Sequence, residues 1–534
     1  MPARIKVPGA YVEEVATGVR PIAGVATSIA AFIGRTARGP VDAEGPVSVD
    51  SQADFEHRFG MLDPVNPMDR AVRDFFANGG RQAVIVRLYK AVDGKPAKAR
   101  INIPGLPLEA ASPGSWGNAL RARIDSHVSA DAANGPGLDA AGLFNLTLHD
   151  AGSGATEIFR DVTVRDGPQR VDRVLAADSL MARVVAAPAF PGATVPPAHQ
   201  DPPAGGTPWN DDAFSTGVSA ADQAADSGML DDATYLGDPD AGTGLHALAR
   251  ADLFNLLCVP PDTRDGDTSA AVYHAAAELC VARRALLIVD APAAWTNVSD
   301  IRVNAHAFFA ALNLDDSSAS HAALYFPRIV QPDPARQGGS GIFVACGAIA
   351  GIMARMDSQR GVWKAPAGTE ATLVGVQGLA MNPTSAEGGD LNQLGINCLR
   401  NFPAMGFVVW GARTLQGASG QGGDYRYVPV RRLAMFIEES LARGLQWAVF
   451  EVNDSRLWAQ VRTSVGMFLH GLFMQGAFQG SSPRDAYFAR CDAATTTQDD
   501  IDNGVANIEI GFAPVRPAEF VILRLQQRAG CAPS

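Results

Sequence analysis

Three side chains stand where an α/β enzyme would keep its chemistry. Asp262 and Asp290 each follow a short apolar run that reads as a strand, and His274 lies on the helical stretch between those runs. Two carboxylates and an imidazole in such places would suit acid–base work, because ligands in open α/β sheets bind at the carboxyl ends of the strands. The motifs that accompany such chemistry are missing: no G-x-G-x-x-G follows a strand, and neither G-x-x-x-x-G-K-[ST] nor G-x-S-x-G occurs. Asp at a strand end is also an ordinary turn or helix-cap residue. An enzyme is therefore the runner-up reading, as a cytoplasmic α/β protein whose terminal arms merely join subunits.

Other ligand chemistries find less support. The nine histidines show no H-E-x-x-H and no paired spacing, so no metal site is expected; His306 and His470 read as packing or surface residues. The glycine-rich stretches Gln337–Gly341 and Gln416–Asp424 lack the following helix that a phosphate cradle needs. The second sits between a strand at Trp410–Thr414 and Tyr425–Tyr427, as a long hairpin loop does. No cofactor is expected. Cys258, Cys280, Cys346, Cys398, Cys491 and Cys531 form no C-x-x-C pair, and a reducing compartment fits them.

With 534 residues the chain exceeds one ordinary core, so two to four domains are expected. Lysine and arginine total 44 against 56 acidic residues, a net charge of −12 that argues against a partner held through nucleic-acid phosphates. No apolar run approaches the ~20 residues of a membrane span. The run Ile22–Ile33, with Glu13 and Glu14 upstream, reads as a buried strand rather than a signal peptide, which leads to an expectation of cytoplasmic synthesis without export.

The elements that must position these residues follow from hydrophobic period and punctuation. Residues 1–24 have little capacity to fold alone, and Tyr11–Val15 is a β-prone piece that needs an edge to pair with. Residues 25–90 read as strand, two helices and strand, with Ser51 capping the first helix and Pro67 opening the second. Residues 91–250 change character: alternating strands at Leu120–Ile124, Leu143–Leu148 and Ile158–Val164, a helix near Val171–Leu180, and an Ala/Pro/Gly/Asp tract suited to exposed loops at 188–245. From Leu253 the rhythm is βαβ: Leu253–Val259, Ser269–Arg284, Ala285–Val289, a helix at Val303–Leu312 and a strand at Ala322–Phe326. The predicted fold is α/β and α+β multidomain. A parallel βαβ core (25–90 plus 251–370) carries an inserted β-rich domain (91–250) and precedes a C-terminal α+β domain (371–534). In that last domain Leu433, Phe436, Ile437 and Leu441 make one helical stripe, and Leu457 through Leu472 another, started by Asn453 or Asp454. Strands are expected at Val505–Phe512 and Phe520–Leu525.

A series of motifs in fixed order adds to this reading. Pro8–Val15 and Gly24–Ser28 open it, and Ser112–Asn118 leads into the insertion. Arg360–Pro366, Leu391-Asn392 with Gly395–Arg400, and Val409–Thr414 follow. Tyr427–Leu433, Phe436–Ser440, Gln446–Asp454, Leu457-Trp458, Arg490-Cys-Asp492, Thr495–Thr497 and Glu509–Phe520 complete it. The series resembles the contractile tail sheath proteins of phages, tailocins and phage-derived injection particles. Gln337–Gly341 departs from it, since relatives more often carry Pro-Pro-Ser-Gly there.

The resemblance implies a structural subunit and no catalysis. It implies stacked hexameric rings of this chain around an inner tube protein, with baseplate and terminator proteins as further partners, no nucleic acid and no membrane insertion. It also implies a contraction that drives the tube through a target envelope. The arms would be Tyr11, Val12, Glu13, Glu14 and Val15 at one end and Phe520, Val521, Ile522 and Leu523 at the other, each adding a strand to a neighbour's sheet. The helix at Asp454–Met474 would face the tube, with Arg456 and Arg462 as candidate contacts.

Overall fold

The computed structural model describes residues 20–63, 66–129, 142–185, 194–333, 338–419 and 423–519. Both expected arm strands, Tyr11–Val15 and Phe520–Leu523, lie outside the described residues. The chain forms two compact units, Thr27–Arg432 and a smaller one made of the residues up to Ala26 with those from Leu433 onward.

The larger unit is built on an eight-stranded sheet. Its strands are β1 (Ala30–Gly34), β2 (Val47–Val49), β3 (Ala83–Arg87), β4 (Leu256–Cys258), β5 (Leu286–Asp290), β6 (Ala322–Phe326), β7 (Ile396–Phe402) and β8 (Gly406–Val409). Their order is β8-β7-β6-β5-β4-β1-β3-β2. All contacts from β3 through to β7 are parallel, and the two edge strands are antiparallel. Every residue of β1, β3, β5 and β6 is buried. These strands read as continuous apolar runs for that reason, since a parallel sheet is covered on both faces.

The sheet differs from the sequence reading in three places. It runs past residue 370, because β7 pairs with β6 and carries β8 with it. The first strand begins at Ala30, not Val25. And Tyr235, Leu245 and Leu248, inside or just after the Ala/Pro/Gly/Asp tract, are buried in the α/β core with Phe254, Val272 and Leu287. A five-residue helix (Asp232–Leu236) and a 3-10 turn (Gly244–Arg250) place them there, segments too short for a periodic signal.

Helix α1 (Pro67–Ala77) starts with Pro at its first turn, and α2 (Ala270–Arg283) is capped by Ser269, whose Oγ accepts from the Val272 amide at 3.2 Å. Helix α3 (Cys346–Arg360) lies against α1 at a distance only glycine permits. A Cβ on Gly347 would stand 1.9 Å from the Ala71 carbonyl oxygen, and one on Gly351 would stand 2.4 Å from that of Phe75. Ser51 caps its short helix through the Asp54 amide at 3.1 Å.

Residues 100–217 form two small antiparallel sheets. One joins Arg100–Ile103, Leu106–Ala110 and Ala182–Val184; the other joins Thr216–Gly217, Leu120–Asp125, Leu143–Asp150 and Thr156–Thr163. Leu120–Asp125 alternates buried and half-buried positions, the half-buried-strand pattern. Ile124, Phe144, Leu146, Leu148 and Leu175 share one core. The mostly exposed segment after Thr194 is tied down by ion pairs from Arg121 to Asp212 and Arg123 to Asp201, both 2.6 Å.

In the smaller unit, helix α4 (Val428–Gly444) continues from Leu433, and α5 (Ser455–Met474) starts at Asp454, whose carboxylate accepts the Arg456 and Leu457 amides at 2.9 and 3.0 Å. Leu457, Trp458, Val461, Val465, Leu469 and Leu472 form the buried stripe of α5. Strands Tyr487–Arg490 and Glu509–Phe512 pair antiparallel; the second is shorter than the expected Val505–Phe512.

Candidate assembly surfaces

The three enzyme-like residues are engaged in separate fold contacts. Asp262 pairs with Arg35 Nε at 2.5 Å and accepts the Leu230 amide at 3.0 Å. Asp290 Oδ1 accepts the Ala345 and Cys346 amides, both at 2.9 Å, and so caps α3; burial pushes its carboxyl above the usual range. His274 Nδ1 meets the Leu312 carbonyl at 3.0 Å. The five described cysteines are buried and free, which fits small apolar core residues. Among the described residues no group of three or more His, Cys, Asp or Glu could hold a metal. No described helix is long and apolar enough to cross a membrane.

The smaller unit holds an incomplete sheet. Tyr487–Arg490 and Glu509–Phe512 pair with each other, and among the described residues neither gains another strand. Tyr487 rests near Phe473, Phe478 and His470, and Phe512 stands 5.7 Å from Phe478. Phe488 on the opposite face is exposed. No residue of either strand is fully buried. Just past Phe512 the backbone of Ala513–Val515 pairs with that of Ala477–Gln479, but two strands alone are marginal in water, and an outer edge that no described strand covers is one an incoming strand can pair with.

The root of the N-terminal segment is fixed along α4. Arg20 lies over the Trp447 ring at 4.8 Å, Ile22 packs against Gly444, and the Val25 amide donates to Ser440 Oγ at 3.1 Å. Gly24 abuts the Phe436 ring, where a Cβ would stand 2.8 Å from Cζ.

Both arginines singled out on α5 are exposed. Arg462 Nη1 donates to the Cys491 carbonyl at 3.0 Å, while Arg456 lies at the outset of an outward stripe that continues through Gln460, Thr463, Met467, His470 and Met474. Met467 and Met474 are 56% and 71% exposed. Neither methionine was singled out in the sequence, where nothing marks an apolar residue on this helix as turned outward. Phe450, in the loop between α4 and α5, is fully exposed with φ +68°, and Val449 and Val452 beside it are exposed as well.

A family model described as the phage tail sheath protein central domain matches residues 236–415, and one described as the phage tail sheath C-terminal domain matches residues 421–528. The chain belongs to the contractile tail sheath family. Tail sheath proteins of Vibrio phage KVP40 and Enterobacteria phage T4 are each 26% identical to it, over 178 and 176 residues. Each match takes in 33% of this chain and 25% of the relative, so the chain spans about a quarter of the length of these curated relatives.

Solved sheath structures extend the likeness to nearly the whole fold. The helical sheath of the anti-feeding prophage in its contracted state aligns with 98% of this chain and 100% of that one, at TM-score 0.56 and 24% identity. The PVC extracellular injection system sheath, also contracted, aligns over 99% of each chain at 0.55 and 20%. A sheath tail protein of Listeria innocua aligns over 92% of this chain and 96% of its own at 0.58 and 11%. In sheath terms, the C-terminal match takes in α5, the two-stranded sheet and Phe450. The inserted sheets lie outside both family matches.

Proposed function

We propose that this chain is the structural subunit of a contractile sheath, made in the bacterial cytoplasm and polymerised as stacked hexameric rings around an inner tube. The observation that carries the reading is a sheet that has only two strands among the described residues, in a chain of the sheath family. Strand addition from neighbouring copies supplies the missing hydrogen bonds. Tyr11–Val15 of one copy and Phe520–Leu523 of another are the incoming strands. Head-to-tail exchange of this kind does not close on itself and generates a helical tube.

In this reading the exposed stripe of α5 meets the inner tube, with Arg456 and Arg462 at its charged end and Met467 and Met474 supplying adaptable apolar contact. Residues 91–250 form the variable outer domain, and 188–245 supplies its long loop. The sheath needs no cofactor and no nucleotide. Contraction releases free energy as copies bury more mutual surface: a gain of ~2 kcal/mol per copy corresponds to only ~80 Å² of apolar area. Baseplate and terminator proteins close the two ends. Asp262, Asp290 and His274, each engaged in a fold contact, give the enzyme reading no assembled centre.

Electron micrographs of the full chain and of a variant lacking residues 1–20 test the proposal. The full chain should form long hollow cylinders, and the variant should stay folded without polymerising. A uniform small oligomer from the full chain, or cylinders from the shortened one, would refute it.

A further inference from the structure

The larger unit has a topological switch point. From β1 the chain crosses to β3 on one side, and from β4 to β5 on the other, while β1 and β4 lie side by side. The carboxyl ends of two such strands are where a doubly wound sheet opens a crevice. A cavity of about 10 Å³ opens there, lined by Pro67 and Arg70 of α1, Pro261 and Arg264 from the loop after β4, and Phe343 before α3. That is room for one water-sized atom.

Its walls are cationic. The Arg70 guanidinium lies 3.8 Å from the centroid of the Phe343 ring and that of Arg264 lies 4.6 Å from it. Arg264 presses against Gly341, where a Cβ would collide with Nη2 at 1.8 Å. The nearby carboxylates are held by other arginines. Arg264 takes Asp333, Arg73 takes Asp74 at 3.1 Å, and Arg35 takes Asp262 at 2.5 Å. Asp69, next to Arg70 in sequence, accepts the Asp63 amide. Arg70 makes no direct ion pair among the described residues: it is 4% exposed, and its one hydrogen bond among them goes to the neutral Gln331 amide oxygen at 3.1 Å. Burial and the neighbouring Arg73 lower its pKa to about 10, while the carboxylates of Asp74 and Asp333 act in the other direction. A buried guanidinium ordinarily has an anionic partner, and stacking on Phe343 offsets only part of that need.

We propose that this crevice binds a compact monovalent anion, a halide ion or the end of a carboxylate, between Arg70 and Arg264. The size of the cavity admits one halide or one carboxylate oxygen and excludes bulkier tetrahedral anions.

Full-length protein in sodium methanesulfonate is titrated with sodium bromide or sodium formate at constant ionic strength while thermal unfolding is followed. The midpoint should rise saturably, by about 2 °C at ten times the dissociation constant. Arg70→Met should abolish the rise. Gly341→Ala, which displaces the Arg264 guanidinium, should weaken it, and serves if Arg70→Met does not fold. Crystals soaked in bromide should show its anomalous signal between the two guanidiniums. A halide response kept in the assembled polymer identifies a free ion as occupant; one present only in dispersed subunits identifies a carboxylate of a second copy. No saturable rise with either anion, or bromide bound only elsewhere, overturns the proposal.

Discussion

The buried ion pair of Arg432 and Asp357 gives the sharpest energetic prediction. Both side chains are almost wholly buried, at 2% and 4% exposure. Arg432 Nη1 donates to Asp357 Oδ1 at 2.8 Å, and Nη2 donates to Oδ2 at 2.6 Å and to the Thr27 carbonyl at 2.8 Å; Thr27 Oγ1 adds a bond to Oδ2 at 2.7 Å. Thr27 and Arg432 are the first and last residues of the larger unit, so one carboxylate on α3 holds both places where the chain leaves it. Removing Asp357 strands a guanidinium away from water, which costs about 3–5 kcal/mol. With an unfolding entropy of about 2 cal/mol/K per residue, a unit of roughly 400 residues should then melt about 4–6 °C lower. Replacing both partners with apolar groups of similar volume is far milder. Calorimetry of Asp357→Ala and of Arg432→Met with Asp357→Leu tests this: the single variant should lose the full amount and the double variant less. Equal melting of wild type and Asp357→Ala, or a double variant worse than the single one, would refute the reasoning.

Other expectations follow from the same contacts. Gly351→Ala drives a methyl into the Phe75 carbonyl and should cost about 1–3 kcal/mol in chemical denaturation, with Gly347→Ala at least as severe. Ser51→Ala should cost about 1 kcal/mol through the lost cap. His321 is buried between the Ser317 carbonyl and Arg431, and burial with that neighbouring charge lowers its pKa from 6.5 to about 4. Its folded state resists protonation, so this contribution is complete above pH 6.5 and falls away as pH drops toward 4, by up to about 3 kcal/mol. His321→Gln should flatten the wild-type loss of stability over that interval, and parallel pH profiles for the two proteins would contradict it.

Much of the larger unit was legible in the sequence because buried parallel strands and capped helices leave local marks. Ala322–Phe326 has the expected bounds, and Ser269, Ser51 and Pro67 mark helix starts as predicted. The helix expected from Val303 begins at Val298 because Asn297 caps it through the Asp300 amide, ahead of the apolar turn that carried the signal. Gly24 and Val25 read as strand but lie along α4, a contact set by Phe436 and Ser440 far away in sequence. Tyr235, Leu245 and Leu248 reach the α/β core from a tract whose composition favours loops. Arg70 and Arg264 escaped notice as a pair because only the fold brings α1 and the loop after β4 together at Phe343. The exposed methionines of α5 show the reverse failure: apolar residues at helical period do not reveal which face a partner takes.

The most direct measurement is a cryo-electron map of the polymer at side-chain detail around Phe488 and Ile510. A four-stranded sheet is expected at that place, its outer strands being 11–15 and 520–523 contributed by two other copies. Finding both outer strands supplied by the same molecule, or the two-stranded sheet left bare in an intact cylinder, would contradict it.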